Sequence, residues 1–397
     1  MERPSSVFLI LVLHVVLIST SCDSRSERPR KNVALFVFGD SFLDAGNNNY
    51  INTTTLDQAN FWPYGETYFK FPTGRFSDGR LMSDFIAEYA KLPLIPPFLQ
   101  PGNHLYHNGV NFASAGAGAL AETFQGAVID LKTQQSYFKK EAARLRSRLG
   151  EVEAKVTLSR AVYLFSIGSN DYTSIFLTNS SVLNTYSKPE YVGIVIGNLT
   201  ATIKVRLSPV LQFLLSRTES YIDNHSKYFW QDVYKRGGRK FAFINLPPLG
   251  CLPGIRIIRP DKNSSCLEEA SILAKLHNRA LSKLLRKSEE QLKGFKYSLF
   301  NFNLSLRRRM NHSSKYGLKE GKIACCGTGQ FRGVFSCGGK RTVKEFELCE
   351  NPNEYVFWDS YHLTERVYKQ LAEQMWNEAS NSSMVGPYTL RDLFQSK

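Results

Sequence analysis

Five short runs in this chain are almost continuously apolar: Val33–Phe38, Gly109–Ala113, Ala161–Ile167, Lys240–Asn245 and Tyr297–Phe302. Each is rich in β-branched and aromatic residues and free of internal proline. A half-buried strand alternates apolar with polar positions, so runs without alternation point to strands covered on both faces. Helical patterns lie between them at Leu81–Ala90, Thr133–Leu149, Glu268–Leu292 and Thr364–Trp376. Strands alternating with helices imply right-handed crossovers and a parallel sheet with helices on either side. The expected architecture is therefore an α/β domain around a central parallel five-stranded sheet. No internal repeat or low-complexity segment interrupts it, and one domain over residues 23–397 is the economical reading.

In such sheets ligands bind beyond the carboxyl ends of the strands. The first run ends in Gly39-Asp40-Ser41, the second in Ala113-Ser114-Ala115-Gly116-Ala117-Gly118, the third in Gly168-Ser169-Asn170-Asp171. A serine at a strand-to-helix turn points its hydroxyl into the crevice at the positive end of a helix dipole. Its plainer use there is as a helix N-cap. A nucleophilic serine needs a base, and the base an orienter. Asp359 and His362, in Phe357-Trp358-Asp359-Ser360-Tyr361-His362, supply both at a spacing that brings a carboxylate to the imidazole Nδ1–H. The plainer reading makes Asp359 a cap for the helix near Thr364 and His362 a surface residue. The remaining histidines compete poorly. His104 and His107 stand in a polar loop, His277 on a helix face, His225 and His312 inside sequons, and His14 near the N-terminus. Acyl transfer also needs donors for an oxyanion. The Ser41 N–H, a glycine N–H from Gly116 or Gly118, and the Asn170 amide are the candidates.

The N-terminus reads as an export signal over residues 1–22: Arg3, an apolar run Val7–Ile18 broken only by His14, then Ser19, Thr20 and Ser21. That run is shorter than the roughly 20 residues a bilayer span requires. Eight N-glycosylation sequons agree with export, at Asn52, Asn179, Asn198, Asn224, Asn263, Asn303, Asn311 and Asn381. Cleavage after Cys22 leaves six of the seven cysteines, an even number that suggests disulfides without fixing their pairing. Adjacent Cys325 and Cys326 do not form the paired knuckles of common zinc sites, so no metal is expected. The net charge of +15 would suggest nucleic acid in a nuclear protein. With an export signal, acidic cell-surface polysaccharide or lipid headgroups are better-matched contacts, and plain solubility is a better-matched explanation still. The run Arg307-Arg308-Arg309 reads as a solvated helix face.

These blocks carry a resemblance. Phe38-Gly39-Asp40-Ser41-Phe42-Leu43-Asp44-Ala45-Gly46-Asn47-Asn48 resembles the first block of the plant GDSL esterase/lipases, part of the SGNH hydrolase superfamily. Val110–Gly118 resembles the second block, Ile167-Gly168-Ser169-Asn170-Asp171 the third, and Asp359-Ser360-Tyr361-His362 the fifth. The similarity runs on through Pro72–Arg80, Leu246–Cys251 and Ala324–Gly327, and is greatest to members linked to pathogen defence. The resemblance implies a flavodoxin-like three-layer fold and a secreted, cofactor-free, monomeric hydrolase of acyl esters or lipids. It implies Ser41 as nucleophile, Asp359 and His362 as orienter and base, and Gly116 or Gly118 with Asn170 as oxyanion donors. Phe42 stands where the family name has Leu, and Ala115 where many members carry Gly. A catalytically silent binding protein and an esterase of acetylated polysaccharide are the alternatives. The family pattern has no counterpart for Val205–Gln231, which splits one amphipathic helix. A Val codon begins with GT and one Gln codon is CAG, so this segment is read as a retained intron or gene-model error, against an evolved surface excursion.

Overall fold

The computed structural model describes residues 33–102, 106–200, 229–258, 266–379 and 382–396. The signal reading over residues 1–22 and most of the proposed insertion at 205–231 therefore lie outside the described residues. On either side of the latter, helices Lys188–Thr200 and Phe229–Lys235 pack against each other.

Four of the apolar runs form parallel strands: β1 (Leu35–Gly39), β2 (Val162–Ser166), β3 (Lys240–Ile244) and β4 (Lys296–Phe300), hydrogen-bonded in that order. Their near-continuous apolarity is explained by burial: β1, β2 and β3 are buried at every position. On one face the rings stack across neighbouring strands, Phe38 on Phe165 at 5.0 Å and Phe165 on Phe243 at 5.2 Å. A second row runs Phe36, Tyr163, Phe241 and Phe295 at 4.7–5.5 Å. Such pairs contribute about 0.5–1.5 kcal/mol each beyond their buried area. Phe138, from helix Leu131–Leu149, meets Phe36 and Phe38 edge-on and closes that face.

The central sheet has five strands and is mostly parallel, and two of its details differ from the sequence expectation. The run Gly109–Ala113 lies parallel beside β1, with Val37 N–H donating to Val110 O and Phe112 N–H to Val37 O, but pairs only as isolated bridges. The fifth strand is instead Val385–Pro387, antiparallel to β4 at the edge. Three residues that include glycine and proline carry no strand signal, and an edge is where proline is tolerated. Also, β4 stops at Phe300 because Asn301 caps the next helix, accepting the Leu304 N–H on its side chain. In that helix, Phe302–Asn311, only Arg308 of the arginine run is exposed; Arg309 is buried against Gln370, Gln374 and the Tyr316 ring. The reading of 307–309 as a wholly solvated face is thus corrected. Arginine's planar fork lets it sit buried where several acceptors and a ring converge.

Three disulfides join Cys251 to Cys266, Cys325 to Cys349 and Cys326 to Cys337. The latter two tie the 325–349 region to the strand that precedes Asp359, since Cys325 and Cys326 donate N–H groups to Phe357 O and Trp358 O.

Candidate active site

β1 ends at Gly39, where φ is +150° and an added Cβ would lie 2.1 Å from Ser166 O; only glycine fits. The Gln134 side chain grips this end from both sides, accepting from Gly39 N–H at 3.0 Å and donating to Gly39 O at 2.9 Å. The chain then turns, with Leu43 and Asp44 N–H groups donating to Asp40 O. That turn sets Ser41 beyond the carboxyl end of the sheet, 9% exposed. The rest of this block is a clamp. Asp44 accepts the N–H groups of Gly46, Asn47 and Ala115. Asn47 donates to Asn111 O and Ala113 O, and Asn48 to Ala115 O. The consecutive asparagines thus anchor the loop 111–116 beside Ser41.

His362 arrives from the other end of the chain. After the short strand Tyr355–Phe357, Trp358 N–H donates to His362 O and closes a tight loop. Inside it Asp359 Oδ1 accepts the N–H groups of Tyr361 and His362 at 2.8 Å each. The His362 Nδ1 stands 2.8 Å from Asp359 Oδ1 and 2.9 Å from Oδ2. Its Nε2 stands 2.7 Å from Ser41 Oγ. Asp359 is therefore no helix cap: the helix Glu365–Asn377 takes Thr364 as its N-cap, and Asp78 accepts the Glu365 N–H. With Nδ1 donating to the carboxylate, Nε2 is the acceptor for the serine proton. Burial alone would raise the Asp359 carboxyl; the His362 ring, the Tyr361 N–H and the Tyr64 hydroxyl outweigh it and hold it at about 2.

The series opens into a cavity of about 470 Å³ with Ser41, Gly116, Asn170 and His362 in its wall. Asn170 lies in the first turn of helix Ser169–Leu177 and donates one amide N–H to Ala117 O at 2.9 Å, which fixes the group. Among the described residues, the backbone N–H groups of Ser41 and Gly116 have no acceptor. Gly116 has φ +79°, and a Cβ there would meet Asp57 Oδ1 at 2.5 Å. Gly118 is packed elsewhere, facing Asp171 and Thr123, and Asp171 is occupied by the Ala119 and Leu120 N–H groups. Phe42 is buried against Phe302 and the His362 ring. Asp40, fully buried, is pushed up to about 8 by burial and has Oδ2 unpartnered.

The other histidines lie apart from this series. His277 lies on the inward face of helix Glu268–Gln291, fully buried, bonded to the Tyr172 hydroxyl at 2.9 Å, and pushed down to about 3 by burial. His107 and His312 are described outside the cavity wall, and His104 and His225 lie outside the described residues. Three groups at the site escaped sequence reasoning: Tyr64, whose hydroxyl donates to Asp359 Oδ2 at 2.7 Å, Arg341 behind it, and Asp57 in the cavity wall. None lies within any of the sequence blocks that carry the site chemistry. Among the described residues no cluster of His, Cys, Asp or Glu is placed to hold a metal, and no helix is long and apolar enough to cross a membrane.

A hydroxyl, an imidazole and a carboxylate in hydrogen-bonded series at the carboxyl end of a mostly parallel sheet are the arrangement of the serine hydrolases. The family model described as GDSL-like Lipase/Acylhydrolase matches residues 35–375. The chain is 56% identical to GDSL esterase/lipase 5 of Arabidopsis thaliana, covering 98% of this chain and 95% of that protein. It is 44% identical to a GDSL lipase of Tanacetum cinerariifolium, covering 100% and 96%. It is 35% identical to the inactive GDSL esterase/lipase-like protein 25 of Arabidopsis thaliana, covering 90% and 74%. The chain belongs to the GDSL esterase/lipase family and is an ester hydrolase of that kind, with small ester substrates.

Proposed function

We propose that the chain is a secreted carboxylic ester hydrolase working by two-step acyl transfer, with Ser41 as nucleophile and the Asp359–His362 pair as orienter and base. The observation that carries the reading is the continuous series from Asp359 through His362 to the Ser41 hydroxyl, opening on one cavity. His362 Nε2 takes the Oγ proton as Oγ bonds to the ester carbonyl carbon, and the carbonyl oxygen becomes an oxyanion. The N–H groups of Ser41 and Gly116 and the Asn170 amide receive it; one such donor is worth about 3–4 kcal/mol. Collapse breaks the C–O bond, and the alcohol leaves with the proton held by His362. Water then attacks the acyl-enzyme, giving its proton to His362, and the acid departs as Ser41 recovers a proton.

Substrate preference follows from the wall. Leu56, Phe76, Phe124, Leu177, Leu252 and Phe335 line the cavity, which suits an apolar acyl chain better than an acetyl group on a sugar. Export is supported by the apolar N-terminal run, the sequons and the three disulfides. A soluble monomer touching cell wall or membrane only peripherally is consistent with the basic surface charge. The test is turnover of acyl esters of graded chain length and of acetylated glycans by the secreted protein. Hydrolysis of medium-chain acyl esters, abolished in Ser41→Ala, supports the reading. Well-folded protein inert on every ester would favour the catalytically silent alternative, and turnover of acetylated glycans alone the other.

A further inference from the structure

Among the described residues, Asp359 has one side-chain partner besides His362. Its Oδ1 is taken up inside its own loop by the Tyr361 and His362 N–H groups, while Oδ2 receives the Tyr64 hydroxyl at 2.7 Å. Tyr64 is 1% exposed and comes from the opposite end of the sequence. The Arg341 Nη2 stands 3.2 Å from the same hydroxyl. A guanidinium only donates, so Tyr64 must accept from Arg341, and its single proton is committed to Asp359. Burial, with the Asp359 charge adding to it, pushes the Tyr64 phenol well above its ordinary value, so the proton stays on tyrosine.

Arg341 is itself wholly buried, and its placement is over-determined. It donates to Leu56 O and Gln58 O, and lies 3.6 Å from the Phe335 ring centroid. Its loop is tied by Cys326–Cys337, and Cys326 donates to Trp358 O beside Asp359. Leu56 and Phe335 are cavity wall, so one guanidinium connects the substrate-facing loops to the carboxylate behind the base.

We propose that Tyr64 and Arg341 are positioning residues for the ester-hydrolysis step: they hold the Asp359 carboxylate in one orientation toward His362 and moderate its strength as an acceptor. This rests on the assignment of Ser41, His362 and Asp359 made above. A carboxylate that already accepts a strong phenolic bond has less to offer the imidazolium. Removing that bond therefore makes protonated His362 more stable while loosening the orientation of the ring. The other titratable groups facing the pair are Asp57 on the His362 side and Tyr361 and Tyr368 near Asp359.

The test uses the full secreted chain and a soluble p-nitrophenyl acyl ester, with kcat and KM followed across pH. Tyr64→Phe should lower kcat about tenfold, short of the roughly hundredfold that a 1 Å misplacement costs. KM should stay within about twofold, and the ascending limb of kcat/KM should move up by about half a pH unit. Arg341→Lys, which keeps the charge and loses the fork, should lower kcat in the same way. A 3-fluorotyrosine placed at position 64 keeps the shape and strengthens donation, so its limb should move down. The profiles are repeated in an Asp57→Asn background, because Asp57, raised to about 6 by burial, titrates in the same cavity. A limb that stays put in the fluorotyrosine protein, or in folded Tyr64→Phe with unaltered kcat, overturns the inference. Failure of the underlying assignment looks different: Ser41→Ala would then retain turnover.

Discussion

At the residue scale, two buried aspartates, Asp359 and Asp40, are set to opposite states by their surroundings. Asp359, accepting from His362, Tyr361 and Tyr64, is held down at about 2 and stays ionised. Its pKa is depressed below the unfolded value, so its contribution to stability is present above about 4 and fades as pH falls toward 2. Asp40 gains too little hydrogen bonding to offset burial and stands at about 8, protonated at neutral pH. Its pKa is raised, so its contribution is full below about 4 and is lost as pH rises through 8. This group should therefore give wild-type Tm a downward slope between about pH 4 and 8, and Asp40→Asn, which mimics the protonated acid, should show a smaller fall over that range. Equal slopes by calorimetry would contradict this. The Asn170 amide, pinned by Ala117 O, is aimed by its neighbours rather than free to adapt. Asn170→Ala should lower kcat about a hundredfold with little change in KM, the usual loss for one oxyanion donor; steady-state kinetics showing a KM effect alone would assign it to binding. Ser41, Asn170, Asp359 and His362 were legible because each sits in a short stretch whose residue types the chemistry demands. Tyr64 and Arg341 were not, since their contact is made across 277 residues and neither belongs to any local pattern.

At the element scale, what was readable is what burial dictates. Four strands gave continuous apolar runs because both faces are covered, and four helices showed their periodicity within a few residues of their ends. Lost to the reading were the edge strand Val385–Pro387 and the demotion of Gly109–Ala113 to a bridging segment, both decided by neighbours rather than composition. Disulfides reinforce the loops that carry the site. Cys251–Cys266 closes 15 residues, a constraint worth about 3 kcal/mol on the unfolded chain. Helices Lys188–Thr200 and Phe229–Lys235 pack against each other. A chain lacking Val205–Gln231, in which Lys204 runs directly into Asp232–Lys235 to rejoin one amphipathic helix, is expected to fold with an undiminished Tm and to hydrolyse esters at the wild-type kcat/KM. Loss of either would make the segment an integral part, and a dominant transcript that includes it would argue against an error of splicing.

At the scale of the whole molecule, segments at positions 41, 116, 170 and 361–362 converge on one cavity, with Asp359, Tyr64 and Arg341 bonded in series behind His362. The surface sorts the sequons. Asn52, Asn179, Asn198 and Asn311 are exposed, whereas Asn303 is partly buried with its amide nitrogen donating to Leu246 O. Asn224, Asn263 and Asn381 lie outside the described residues. Glycopeptide mapping of protein made in a secretory host should find glycans at the exposed four and little at Asn303; full occupancy at Asn303 would contradict the packing there. The central claim, that one hydroxyl is activated by one imidazole, has a direct readout. Secreted protein treated with a fluorophosphonate at neutral pH and digested should yield a single adduct, on the peptide carrying Ser41, with labelling lost in Ser41→Ala and slowed by orders of magnitude in His362→Ala. An adduct on another serine, or labelling of Ser41 that proceeds equally well without His362, would contradict the account.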